Sequence, residues 1–198
     1  MEHYYFLCEC SKCVNLSQDQ MTSSILCVKC NGSIPSVSGI CRDCKFEITD
    51  ESVIDKHLKL KSTIKSVLIQ KFNEQTIHNL LGESMEIFHP YDEDFLELLN
   101  ISFALYQTKN NHKKRLEIAQ LILINHYANR CRYDPTIAIL EMTVANLFIL
   151  FNLVKDAELH INKAKDILDV AYGCEQTEVT KKWKQIFQEI SFFKKEIA

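Results

Sequence analysis

Glycine and proline are scarce in this 198-residue chain, at 4 and 3 residues, and that scarcity argues against a turn-rich β fold. Positive charge is not in excess: 23 Lys and Arg stand against 26 Asp and Glu, a formal net charge of −3. No global positive field is offered to a phosphate backbone or an anionic lipid surface, so nucleic acid is not an expected partner. Long hydrophobic runs are missing as well. The most apolar stretch, around residues 144–153, is interrupted by Asn146 and Asn152 and falls far short of the ~20 apolar residues of a membrane span, so no membrane anchor is expected. The start, Met1-Glu2-His3-Tyr4-Tyr5, lacks the basic and apolar segments of a secretory signal. A reducing compartment, cytoplasmic or nuclear, is expected.

Cysteine, by contrast, is concentrated: seven of the nine fall between Cys8 and Cys44. In a reducing compartment clustered thiols ligate metal more often than they form disulfides. Cys27-Val28-Lys29-Cys30 and Cys41-Arg42-Asp43-Cys44 are two C-x-x-C knuckles separated by ten residues. That is a zinc-ribbon spacing, suited to one tetrahedral structural zinc ion. Asn31-Gly32 and Ser38-Gly39 supply turn-tolerant residues beside the knuckles. The competing reading, a redox pair, requires a thioredoxin-like βαβ context that the sequence does not show. Cys8, Cys10 and Cys13 form a C-x-C-x-x-C cluster with three thiolates, one short of a closed zinc set. A second ion is expected only if a fourth ligand is supplied, by His3, by Glu9 or by protein outside this chain. Cys131 and Cys174 stand alone in helix-forming sequence and read as small buried hydrophobes.

From about residue 51 the apolar spacing changes to a period of 3.6. This suggests a cysteine-rich region over 1–50 and a helical domain over 51–198. Val53, Ile54, Leu58, Ile64, Val67, Leu68 and Phe72 trace one long helix to about residue 81, with Gly82 as its stop. His89-Pro90 marks a loop, and helices are predicted from about 93 through Leu105, then over 116–128, 136–151 and 155–171. A last helix over 175–197 places Val179, Trp183, Ile186, Phe187 and Ile190 inward. Ala145, Phe148, Ala157, Ile161 and Ala164 alternate small and large residues as interlocking tetratricopeptide helices do, and Ala104 and Ala119 are placed in similar roles. The expected fold is mostly α: a small zinc-bound cysteine-rich head followed by antiparallel TPR-like helix pairs, whose array would dock a protein or peptide.

The phrase Tyr5-Phe6-Leu7-Cys8-Glu9-Cys10-Ser11-Lys12-Cys13 resembles the post-SET segment of the SET and MYND domain-containing protein-lysine methyltransferases. In that family the three cysteines share a zinc ion with a fourth cysteine from the SET core. The resemblance implies that Phe6 packs near the adenine of S-adenosylmethionine. A second zinc quartet followed by TPR-like helices is similar in order to one branch of the family. No SET core or MYND finger accompanies these parts, so S-adenosylmethionine belongs only to a full-length enzyme with a SET domain in cis. No catalytic residue is identified. The resemblance implies the C-terminal portion, or a short isoform, of such a methyltransferase, inactive by itself. The alternative is a non-enzymatic zinc-containing adaptor. Asn125-His126 lies after the post-SET cysteines, in the wrong order for the family's Asn-His-Cys motif, and is given no role.

Overall fold

The computed structural model describes residues 22–69, 73–173 and 177–197. The chain forms two compact units that divide between Glu97 and Leu98. Phe6, Cys8, Cys10, Cys13 and Cys174 lie outside the described residues, as do His3, Glu9 and Phe72. The protein is mostly α, with a cysteine cluster beside a small strand hairpin.

In the first unit, β1 (Ser24–Leu26) pairs antiparallel with β2 (Ser33–Pro35), Ile25 opposite Ile34. Two fully buried isoleucines on so short a hairpin cannot make a core alone. Cys27 and Cys41 complete it, and Phe46, Ile48, Val53 and Ile54 pack around them. Val53 and Ile54 belong to α1 (Glu51–Ile69), so the cysteine-bearing segment shares its core with the helix that follows, and the compact units do not divide at residue 50. Asp50 caps α1 through the Ser52 amide, 2.9 Å away.

The expected single helix over 51–81 is two helices. The second, α2 (Glu74–Ile87), starts where the Asn73 side chain accepts the Thr76 amide, satisfying a donor that a helix start leaves free. Gly82 lies inside α2 and does not stop it. The stop is Phe88, which turns extended and bridges to Ile25. The inward stripe of α1 also differs from expectation: Leu60, Ile64 and Val67 are buried beside His57, whereas Leu58 is exposed. A buried polar knot closes this unit. Asp92 accepts the amides of Ser24 (3.1 Å) and Phe95 (3.1 Å) and faces His57 Nε2 and Lys61 Nζ, each at 3.4 Å. It therefore ties β1 to α1 at the start of α3 (Glu93–Thr108).

The second unit holds the rest of α3 with α4 (His112–Asn129), α5 (Pro135–Leu150), α6 (Val154–Tyr172) and α7 (Glu178–Ile197). Asn111 caps α4 and Asp134 caps α5, with Pro135 in its first turn where no amide is needed. Asn110 and Asn152 adopt left-handed conformations in the tight turns between helices. Helix α4 begins four residues earlier than its apolar pattern suggests, because the cap at Asn111 and not the first leucine sets the start. The core is continuous across α5, α6 and α7, where Ala145, Phe148, Ala157, Ile161 and Ala164 are all buried, and Ala119 of α4 joins them. Ala104 is exposed, and its neighbour Ser102 is the buried small residue. On α7, Ile186 and Ile190 face inward as expected, but Phe187 is 38% exposed and stacks on Trp183 at the surface. The Trp183 indole N–H donates to the Ile161 carbonyl (2.8 Å), fastening α7 to α6. This packing is compatible with a helical-repeat-like arrangement. Among the described residues, no helix is long and apolar enough to cross a membrane.

Candidate metal centre

Each C-x-x-C segment folds into the same backbone loop. In the first, Asn31 N–H donates to the Cys27 carbonyl (2.8 Å) and Cys27 N–H to the Gly32 carbonyl (2.9 Å). In the second, Lys45 N–H donates to the Cys41 carbonyl (3.1 Å) and Cys41 N–H to the Phe46 carbonyl (2.7 Å). The residue after the last cysteine of each loop, Asn31 or Lys45, is left-handed, with φ of 59° and 60°. Asparagine tolerates that region; a lysine there carries a steric cost, and no rule of turn composition would have pointed to it. The first loop closes the β1–β2 hairpin. The second sits beside the Ile40–Glu47 bridge, and Arg42 N–H donates to the Ser33 carbonyl, joining this loop to the start of β2.

This pairing of loops brings the Sγ atoms of Cys27, Cys30, Cys41 and Cys44 within 4.8 Å of one another. Cys27 and Cys44 are 3.7 Å apart and Cys30 and Cys41 3.5 Å, too far for the ~2.05 Å of a disulfide. The group can hold a metal ion. Cys27 and Cys41 lie in the core, while Cys30 and Cys44 face solvent. Gly32 leaves no space: a Cβ there would stand 2.0 Å from Asp43 Oδ2 and 3.1 Å from Cys30 Sγ. A side chain there would have to displace the exposed Asp43 carboxylate and press on the Cys30 sulfur, so the glycine is favoured by close approach and not by a left-handed turn.

Electrostatics separate the thiols. Burial works against ionising Cys41, but the Cys44 and Asp43 amides point at its sulfur and outweigh burial, lowering it to about 7. For Cys30 the Gly32 amide (3.4 Å) favours the thiolate, yet the Cys44 thiol, burial and the remaining cysteines oppose it, and the group is pushed up to about 12. Four sulfurs this close cannot all ionise without a cation between them. Lys29 spends its charge elsewhere, over the Phe46 ring at 4.4 Å.

A second polar cluster, not foreseen from the sequence, lies in the helical unit. Glu141 is the one charged residue of α5 and is fully buried. It accepts the Tyr127 hydroxyl (2.6 Å) from α4 and pairs with His160 Nδ1 of α6. Burial and then the bond to Glu141 raise the Tyr127 phenol above its ordinary value. A lone acid in an otherwise apolar helix was the available signal. Asn125 and His126 are buried nearby in sequence, and Cys131 is exposed in the turn before α5 instead of buried in a helix.

No protein-family model matches this chain, and no curated protein is detectably similar to it.

Proposed function

We propose that Cys27, Cys30, Cys41 and Cys44 hold one structural zinc ion, and that the chain is the non-catalytic C-terminal part of a SET and MYND-type protein-lysine methyltransferase. The observation that supports zinc is the sulfur geometry. A tetrahedron with Zn–S near ~2.3 Å sets sulfurs ~3.8 Å apart, close to the 3.5 and 3.7 Å of the two close pairs. Zinc would supply the two positive charges that four crowded thiolates lack and would leave no open coordination position, so its role is to hold the head together. The methyltransferase reading rests on order: post-SET-like cysteines, then this quartet, then helices. Phe6, the residue assigned by resemblance to S-adenosylmethionine, lies outside the described residues, and no described side chain is given a contact to that cofactor.

Zinc analysis of the purified chain should return one ion per chain from the quartet, falling to none in a Cys27→Ser, Cys41→Ser double variant that retains Cys8, Cys10 and Cys13. Equal zinc in both proteins would remove the metal assignment. An antibody to α7 tests the second part. A cellular band several times the mass of this chain that methylates protein lysine supports the enzyme; a band at the chain's own 23.0 kDa favours an adaptor. The adaptor reading draws on the helical unit's own continuous core, which gives it a body able to stand as a docking module.

A further inference from the structure

We propose that a groove in the helical unit binds the carboxylate of an acidic side chain in a partner peptide, together with an adjoining aliphatic residue. The groove, about 340 Å³ in volume, is walled by α3, α4, α5 and α7. Two cations enter it, Arg115 from the first turn of α4 and Lys182 from α7, and Gln107 and Asn146 add side-chain amides. Among the described residues that line it there is no aspartate or glutamate. Neither cation is paired with a carboxylate among the described residues, whereas Lys114 of the same unit pairs with Glu117 and Lys194 with Glu158.

Arg115 carries the argument. Its Nε is buried and has no hydrogen-bond partner within the described residues, so an acid entering the groove would meet the two terminal amines of the guanidinium. Its guanidinium lies 5.1 Å over the Phe103 ring, which holds the planar fork in one orientation. A guanidinium fixed in that way offers parallel donors matched to a carboxylate, and the amides of Gln107 and Asn146 can donate to the remaining lone pairs. The floor is apolar. Leu147 is buried, and Leu150 at the rim is 56% exposed. A free inorganic anion makes no use of that surface, whereas a peptide places an aliphatic side chain on it beside the bound acid. This site uses the helical unit alone and holds whether or not the cysteine quartet carries zinc.

The test selects a phage-displayed random heptapeptide library, in which no C-terminal carboxylate is free, on the intact chain. Enriched peptides are then made with amidated ends and titrated by fluorescence polarisation. The expected peptides carry Asp or Glu beside an aliphatic residue and weaken when the acid is changed to its amide. Arg115→Ala and Lys182→Ala should each weaken binding about tenfold or more, as loss of a charge-assisted bond does, and added salt should weaken it as well. Asn146→Asp places a rival carboxylate in the groove and should act in the same direction; it keeps the test decisive if Arg115→Ala disturbs packing on Phe103. No enrichment, enrichment without an acid, or equal binding to all three folded variants overturns the proposal. Full displacement of an enriched peptide by inorganic phosphate at lower concentration than by the peptide itself also overturns it, by showing a phosphate site.

Discussion

Exchange of Cys41 for serine removes a sulfur that is at once a metal ligand and a wall of the first unit's core. Among the described residues, the core of that head contains two fully buried aliphatic side chains, Ile25 and Ile34. At ~1.5–3 kcal/mol for each buried side chain, they contribute about 3–6 kcal/mol. A structural zinc contributes an apparent ~10–16 kcal/mol near neutral pH, so the metal is the larger of the two stabilising terms. Serine is a poor zinc ligand, and the variant's loss of affinity should exceed the ~10–100-fold that accompanies changes in groups behind the ligands. The assay pairs zinc content with amide spectra of residues 24–48 and far-UV circular dichroism. Cys41→Ser, or wild type with a strong chelator, should lose both the ion and the spectral dispersion of the hairpin. Helix signal should fall by no more than α1 and α2 supply, 19 and 14 residues, because α4 to α7 share a core of their own. A head that keeps its dispersion without metal, or a total loss of helix signal, would refute the reasoning.

Gly32→Ala should speed zinc release to a chelator several-fold while leaving one ion bound at the start, since its Cβ presses on Asp43 and the Cys30 sulfur; unchanged release kinetics would contradict the close-approach argument. Glu141→Ala should cost about 3–5 kcal/mol in urea unfolding followed by Trp183 fluorescence, because it strands His160 and Tyr127, whereas Glu141→Gln should cost less by retaining an acceptor for the Tyr127 hydroxyl. Burial, aided by Arg130, holds the His126 imidazole below its ordinary 6.5. Its contribution to stability is therefore fully present above that value and is lost as pH falls through the folded-state value; the urea midpoint should decline below pH 6.5 and decline less in His126→Phe. Zinc affinity should rise with pH between about 7 and about 12, where uptake displaces a proton from Cys30 but less and less often from Cys41, as a competing indicator would read.

The quartet was legible because C-x-x-C spacing constrains geometry locally, and both loops then needed little more than their own backbone bonds. Helix positions after residue 93 were legible for a similar reason: His89-Pro90 and Asp134-Pro135 punctuate the chain with strong local preferences. What escaped was decided by competition or by tertiary surroundings. The break after α1 depends on the Asn73 cap overriding an apolar period that continues across it. Gly82 carries the residue type of a helix stop without the left-handed backbone that makes one. Leu58 and Leu60 are chemically alike, and only tertiary packing decides which is covered: Leu60 lies beside Leu80 of α2. Ala104 fits a small-residue pattern but faces outward, with Ser102 taking the inward place. The head's second cysteine cluster, with Phe6, lies beyond what the described residues address.

The buried acid of α5 bears on how this helix finds its place. Apolar side chains surround nearly the whole cylinder, and greasy contact has no direction, so a roll about the axis or a slide of one turn, ~5.4 Å, would lose little cohesion. A carboxylate gripped from two sides, by a phenol on one neighbour and an imidazole on the other, admits a single angle and a single height. Any other setting leaves a buried carboxyl group without its two partners. Glu141 thus works as a key in a keyway, choosing which of several arrangements the bundle adopts.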